Sequence, residues 1–488
     1  FRAVQELLTE KDIMDNEKKN GINAFGLAAL IVSSAIGTGI FGLPSQLAQV
    51  AAPGPALLAW LVCGIGVLAL VLSLNNLAKK RPDIDSGLFG YAKAACGPLG
   101  EFMSGWTYWI SAWIGNLAFA TFLMSAIGNF IGIFKGGQNI ASIIAAIIFL
   151  WVLTFFVNNG VESANFVNTI VTICKVIPLF VFIVLVAMSF KLGVFTAHFW
   201  TNFASNVKAT GVNGSVYGQI KNSMMSIMWV FIGIEGASVL SSRAKSQKAA
   251  SQATIIGFIS LVVIYVFSTI LPYGVMSQAA IAKAAQPAMG SILEVAVGKW
   301  AAIIINLGVI ISTIGSWLSW TMLPAETTRL MAKDKTLPAS WGKLNKKKAP
   351  QFSLIITAVL QTLFLFSMLF TTSAYNFAST LAAAAILVSY MLVGVYQIKY
   401  SFQHKEWWQF FVGLICAGFE IMAAVLSGWQ DLLLLTISFL PGFVLYYVAS
   451  KEDKHQITSR EKVVMAVVCA LAILAIIFLF TGKISING

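Results

Sequence analysis

The chain has 488 residues; AVILMFWYC make up 58% of them and DEKR only 10%, against roughly 25% charged in soluble proteins. So little polar surface excludes an ordinary set of soluble domains. Apolar runs of about 20 residues, each long enough to cross a hydrocarbon core of roughly 30 Å as a helix, recur from end to end. The formal charge of +13 does not signal nucleic acid, because Lys and Arg sit in short loops between apolar runs rather than on one amphipathic face.

The first 20 or so residues are polar and carry no cleavable signal peptide. Met14, followed by Asp15, Asn16, Glu17, Lys18 and Lys19, reads as a natural start, with residues 1–13 as an upstream extension. Thirteen spans are predicted after it, at about 24–50, 54–78, 98–128, 138–157, 163–189, 217–242, 253–276, 297–328, 351–371, 376–399, 407–427, 430–449 and 462–482. If the N-terminus is inside, about 24 Lys and Arg fall in cytoplasmic segments and about 7 outside. That asymmetry predicts a cytoplasmic N-terminus. An odd number of spans then predicts an extracytoplasmic C-terminus.

Chemistry-bearing motifs are sparse. The five cysteines, Cys63, Cys96, Cys174, Cys416 and Cys469, form no CxxC pair and read as small buried hydrophobes, with no disulfide framework and no metal site. The three histidines, His198, His404 and His455, are scattered in flanks and loops. There is no HExxH, no GxxxxGK[ST] and no catalytic serine elbow. The expectation is a protein that is neither an enzyme nor an ATP-driven pump and needs no cofactor.

Two spans are punctuated by glycine at corresponding places. The first reads Ser33-Ser34-Ala35-Ile36-Gly37-Thr38-Gly39-Ile40-Phe41-Gly42-Leu43-Pro44, and the sixth Trp229-Val230-Phe231-Ile232-Gly233-Ile234-Glu235-Gly236. They lie five spans apart, so spans 1–5 and 6–10 would have opposite orientation, and glycine-interrupted spans at matching places of inverted halves point to a transporter's substrate site. Close helix packing is the competing explanation for such glycines. Two breaks in register favour the first. An unwound turn exposes amides at the start of one half-helix, which suit a carboxylate, and carbonyls at the end of the other, which suit an ammonium. A zwitterion satisfies both.

With those residues in hand, the sequence resembles the amino acid–polyamine–organocation superfamily. Gly37-Thr38-Gly39-Ile40-Phe41 is similar to its span 1 break, the Trp229–Glu235 segment to its span 6 partner, and Tyr108 to Asn116 on span 3 to the basic amino acid/polyamine antiporter branch. The thirteenth span looks more like arginine/ornithine than arginine/agmatine exchangers. The resemblance implies an all-α polytopic membrane fold of two inverted five-helix repeats with about three extra C-terminal helices. The corresponding division is a cytoplasmic segment 1–23, repeats 24–190 and 217–400, and accessory spans 407–482. It implies carboxylate binding by the backbone at Ile36, Gly37, Thr38 and Gly39, an ammonium near the carbonyls of Trp229 and Ile232, and a side-chain pocket of Asn116 and Trp320. Trp229 becomes a gate and Glu235 a proton-sensitive residue.

Two departures bear on specificity. Ala112 stands where the arginine/agmatine branch has a small polar residue, and Ala382 near the place of a serine. Losing two polar partners weakens the fit to a guanidinium, so histidine, lysine, ornithine, tyrosine or their amines stay open. Trp106, Trp200, Trp407, Trp408 and Trp429 are expected as interfacial anchors. For Glu235 the competing role is a packing carboxyl kept neutral by burial, and for Asn116 an interhelical hydrogen bond. Glu326 is placed near the cytoplasmic end of span 8.

Lys175 is the one basic residue well inside a span, at a cost of about 2.5–3.5 kcal/mol on insertion scales. In some members of the superfamily a span 5 lysine stands where sodium-coupled relatives hold a cation. The expectation is that Lys175 replaces that cation, makes transport sodium-independent and can carry a proton. The predicted function is exchange of a cationic amino acid for its metabolic product across the bacterial inner membrane. The alternatives are amino acid/amine exchange of the histidine/histamine, lysine/cadaverine or tyrosine/tyramine type, and proton-coupled symport. A membrane sensor and a channel rank lower. The expected partners are a small amino acid or amine and the lipid bilayer; a homodimer is left open, and nucleic acid is not expected.

Overall fold

The computed structural model describes residues 23–84, 87–160, 165–201, 214–236, 245–370, 373–426 and 428–484. Ten described helices are long and apolar enough to cross a membrane. With the broken first span, the helix over 165–188 and the one ending at the sixth-span break, the helices fall one for one on the thirteen predicted spans. They are α1 (Ala24–Ala35) and α2 (Gly39–Val50), α3 (Pro53–Lys80), α4 (Leu88–Gly128), α5 (Ile140–Asn158), α6 (Asn165–Met188) and α7 (Val216–Phe231). Then follow α8 (Gln247–Ile270), α9 (Lys299–Lys333), α10 (Gln351–Ser367), α11 (Ala374–Gln403), α12 (Trp407–Leu426), α13 (Trp429–Glu452) and α14 (Ser459–Phe480). No strand occurs among the described residues, as a bilayer demands of any chain that does not close into a barrel.

Helix starts follow local chemistry. Asn23, Asn139, Ser215 and Ser246 each accept a backbone N–H of the first turn, and Thr458 and Glu461 form a reciprocal capping box. The third span begins ten residues earlier than its apolar run suggests. Its first turns, from Leu88, precede a kink at Gly97, where φ is 76°. Pro98 has no N–H for the carbonyl of Ala94. Lys399 of α11 supplies the missing donor instead, with Nζ 2.8 Å from Ala94 O and 3.2 Å from Ala95 O.

Helix α4 is the axis of the fold: 94% of its most apolar stretch is buried, against 11% for the peripheral α14. On α11 the run Ala382, Ala383, Ala384 and Ala385 is fully buried, and small side chains let helices approach closely in a membrane. Trp106 departs from expectation. It is 3% exposed rather than interfacial, stacked on Phe102 and packed on Trp109. Its indole lies against Gly442 of α13, where a Cβ would come within 2.8 Å of the ring. Trp200, Trp407, Trp408 and Trp429 are all at least 45% exposed, as anchors should be.

Candidate substrate site

Both predicted breaks are present. Helix α1 stops at Ala35, and Ile36, Gly37 and Thr38 pass the chain to α2. The amide of Ile36 still bonds Val32 O, and that of Phe41 bonds Thr38 O. Between these two, no amide finds a backbone acceptor among the described residues, which leaves the donor-rich start of a half-helix that suits an anion. Helix α7 stops at Phe231. A turn over residues 232–235 follows, with Gly233 at φ 104°, where a side chain would be strained. Ile232 N donates to Trp229 O over a long 3.4 Å, so that carbonyl is only weakly engaged.

A cavity of about 30 Å³ lies between the breaks, lined by Gly37, Gly39, Lys175, Trp229, Ile232 and Trp320 together with Ala35, Ile40, Phe119 and Val230. Six of the ten predicted site residues therefore meet there. Ile36, Thr38, Asn116 and Glu235 do not line it. The volume is about the room of one water molecule, so an amino acid fits only if the walls move. Three of those walls are rings. Phe119 stands between the two tryptophans, its centroid 5.9 Å from Trp229 and 6.3 Å from Trp320. The Trp229 indole is held by two glycines. A Cβ on Gly39 would lie 2.5 Å from its Nε1, and one on Gly115 would lie 3.1 Å from its Cη2.

Two of the other predicted residues, Asn116 and Glu235, brace the site from behind. Asn116 is fully buried and its Nδ2 donates to Trp320 O at 3.0 Å, tying α4 to α9. Its Oδ1 has no hydrogen-bond partner among the described residues. Glu235 collects three donors: the Tyr108 hydroxyl at 2.7 Å, the Tyr390 hydroxyl at 2.6 Å and its own turn's Gly233 N–H at 2.9 Å. These bonds tie the sixth-span break to α4 and α11. Lys175, on α6, has no hydrogen bond or ion pair among the described residues and faces the cavity. Ala112 and Ala382 are buried apolar positions, and the neighbouring Ser111 hydroxyl donates to the Ala382 carbonyl at 2.8 Å. Glu326 pairs with Arg329 one turn away near the end of α9, apart from the site.

Sequence reasoning missed Phe119, Tyr108 and Tyr390. The first two had a signal: Tyr108, Ala112, Gly115, Asn116 and Phe119 recur at the spacing of one helix face. Tyr390 had none, because its role depends on a partner 155 positions away.

The chain matches the amino acid permease family over residues 22–485. It is 50% identical over 475 residues to an arginine/ornithine antiporter of Latilactobacillus sakei, covering 96% of this chain and 98% of that relative. An arginine/ornithine antiporter of Lactococcus lactis subsp. cremoris is 43% identical over 477 residues, 95% of this chain and 90% of the relative. An arginine/agmatine antiporter of Chlamydia felis is 34% identical over 481 residues, with 96% and 99% covered. Glycine-broken spans enclosing an aromatic cavity, in a chain matched along almost its whole length, place it: this protein belongs to the amino acid permease family, in the basic amino acid antiporter branch of the amino acid–polyamine–organocation superfamily.

Proposed function

We propose that this protein exchanges arginine for ornithine across the bacterial cell membrane. The observation that carries the reading is the cavity itself, which joins the amide-rich start of α2 to the aromatic walls of Trp229, Phe119 and Trp320. The amides receive the α-carboxylate, the loosely engaged carbonyl of Trp229 receives the α-ammonium, and the rings receive the cationic side chain. A cation over an indole face is worth up to about 2 kcal/mol when desolvated. The near full-length likeness to arginine/ornithine antiporters supports this pair over arginine/agmatine, whose carriers are less similar.

In this reading Lys175 stands in the place of a bound cation beside the first-span break, and Glu235 reports the state of the sixth-span break through its tyrosines. The protein is organised as inverted repeats 24–190 and 217–400 with accessory spans 407–482. Its N-terminus lies in the cytoplasm and its C-terminus outside, as the distribution of basic residues in loops supports. Purified protein in vesicles preloaded with ornithine should take up labelled arginine, and empty vesicles should not. Because arginine and ornithine each carry one positive charge, an imposed membrane potential should leave the rate unchanged. Uptake into empty vesicles driven by a proton gradient would replace exchange with symport.

A further inference from the structure

An apolar concavity lies away from the substrate site, between α3 and α8. It encloses about 370 Å³ and is lined by Leu57, Leu61, Gly64, Phe258, Val262 and Val266, with Trp60 as its floor. Its notch is Gly64, whose missing side chain would meet nothing within 4 Å. The rim faces outward: Leu61 is 59% and Ile259 54% exposed. The floor is buried, and the one polar atom of Trp60 is already spent on Thr269, with Nε1 to Oγ1 at 3.0 Å. The groove therefore asks for hydrocarbon and for nothing polar.

We propose that this groove binds one acyl chain of a bilayer phospholipid, and that the bound chain tunes the broken helices. Position limits the occupant, because both walls are membrane spans and only lipid or another span can reach them. Size decides between those. From Leu57 to Leu68 the groove runs about 17 Å at 1.5 Å per residue, and a helix of that length and of roughly 10 Å diameter has several times its volume. Spread over that length, 370 Å³ leaves a cross-section of about 22 Å², room for one extended hydrocarbon chain and not for a helix about 10 Å across.

The link to transport runs through rings. The Trp60 floor packs on Phe231 at 5.9 Å between centroids, and the Phe258 floor packs on the same ring at 6.1 Å. Phe231 is the last residue of α7 before the sixth-span break. It also touches Tyr265 at 5.7 Å, whose hydroxyl donates to Ala35 O, the last carbonyl of α1, at 3.1 Å. Both half-helices thus end on one aromatic cluster whose outer face is the groove floor. A chain that binds one arrangement of this cluster better than another shifts the balance between them, by no more than its differential affinity.

The test uses the full chain in vesicles doped with a phospholipid carrying a mid-chain diazirine, with adducts mapped after irradiation. Adducts should concentrate several-fold on residues 57–68 and 258–266 relative to the lipid-facing surface of α14, and Gly64→Leu should return them to that background. This readout does not depend on which solutes are exchanged. In parallel, exchange by the wild type should differ roughly fivefold between short-chain and long-chain host lipids, and Gly64→Leu should flatten that response. Should Gly64→Leu fail to assemble, Gly64→Ala fills less of the notch and should give an intermediate loss of both signals. Uniform labelling of the wild type, or labelling unchanged by filling the notch, overturns the site. Labelling at the groove with the same chain-length response in wild type and variant overturns its coupling to transport.

Discussion

Gly39 and Trp229 sit so close that a single added carbon on Gly39 would lie 2.5 Å from the indole Nε1 and 2.8 Å from Cδ1. The two residues belong to the first and sixth spans, so the contact joins one break to the other. The indole cannot retreat, because its far edge is against Gly115.

Gly39→Ala should therefore cost function by displacing a rigid ring. Overpacking of this kind costs typically 1–3 kcal/mol, and exchange should fall at least tenfold. Gly418→Ala, at a position where a Cβ meets nothing within 4 Å, should transport normally. Equal rates for the two variants, at matched expression, would refute the tight Gly39–Trp229 fit.

The tryptophans should divide by burial. Trp229 is 6% exposed and lines the cavity, as does Trp320, whereas Trp408 is 73% exposed. Trp229→Ala and Trp320→Ala should each reduce arginine uptake by more than tenfold, given a packed wall and a cation–π contact of up to about 2 kcal/mol. Phe119→Ala should follow them. Trp408→Ala should lose only an anchor in the headgroup region, and comparable losses from all four variants would sink the assignment.

The tyrosine clamp on Glu235 predicts coupled behaviour. Tyr108→Phe and Tyr390→Phe each remove one hydroxyl from the carboxyl. In a double-mutant cycle on thermal stability, either change combined with Glu235→Gln should show a coupling of about 1 kcal/mol or more. Strict additivity would mean that the hydroxyls do nothing for the carboxyl.

Lys175 predicts a dependence on ions. If its ammonium stands in for a bound cation beside Gly37 and Gly39, replacing sodium with choline should leave wild-type exchange unchanged, and Lys175→Ala should impair it. Strict sodium dependence of the wild type, or full activity in a well-folded Lys175→Ala, would show the role to be wrong.

The basic-loop asymmetry makes a simpler prediction. A reporter that is active only in the cytoplasm should stay silent when fused after Gly488. Activity there would place the C-terminus inside and change the parity of the spans.

Much of this was legible because a bilayer narrows the choices. Twenty-residue apolar runs announce the spans, and glycine clusters announce the breaks, since irregular backbone at that depth has few other uses. The lysine on the fifth span stood out for the same reason: a charge there is costly enough to need a purpose. Aromatic residues were harder to read. They make up 12% of the chain, and the same ring can anchor at the interface, fill a core or wall a pocket. Trp106 reads as an anchor because membrane tryptophans gather at the interface; its partner Gly442 is far away in sequence. The kink at Gly97 was hidden for a related reason. Residues 88–96 carry Lys93 and read as loop, yet they are helical, and Lys399 of α11 donates to the Ala94 and Ala95 carbonyls at the kink. Single-helix periodicity can reveal a face, as for Asn116 and Phe119, but it cannot name what the face meets.

The small size of the cavity between the breaks has a consequence for the cell's energy supply. Protons cross proteins along files of water, and a passage whose middle holds about 30 Å³ walled by three rings has no room for a file. A carrier built so can sit in an energised membrane at high copy number without short-circuiting it. Only a solute that itself parts Trp229, Phe119 and Trp320 opens a path, and it plugs that path as it moves.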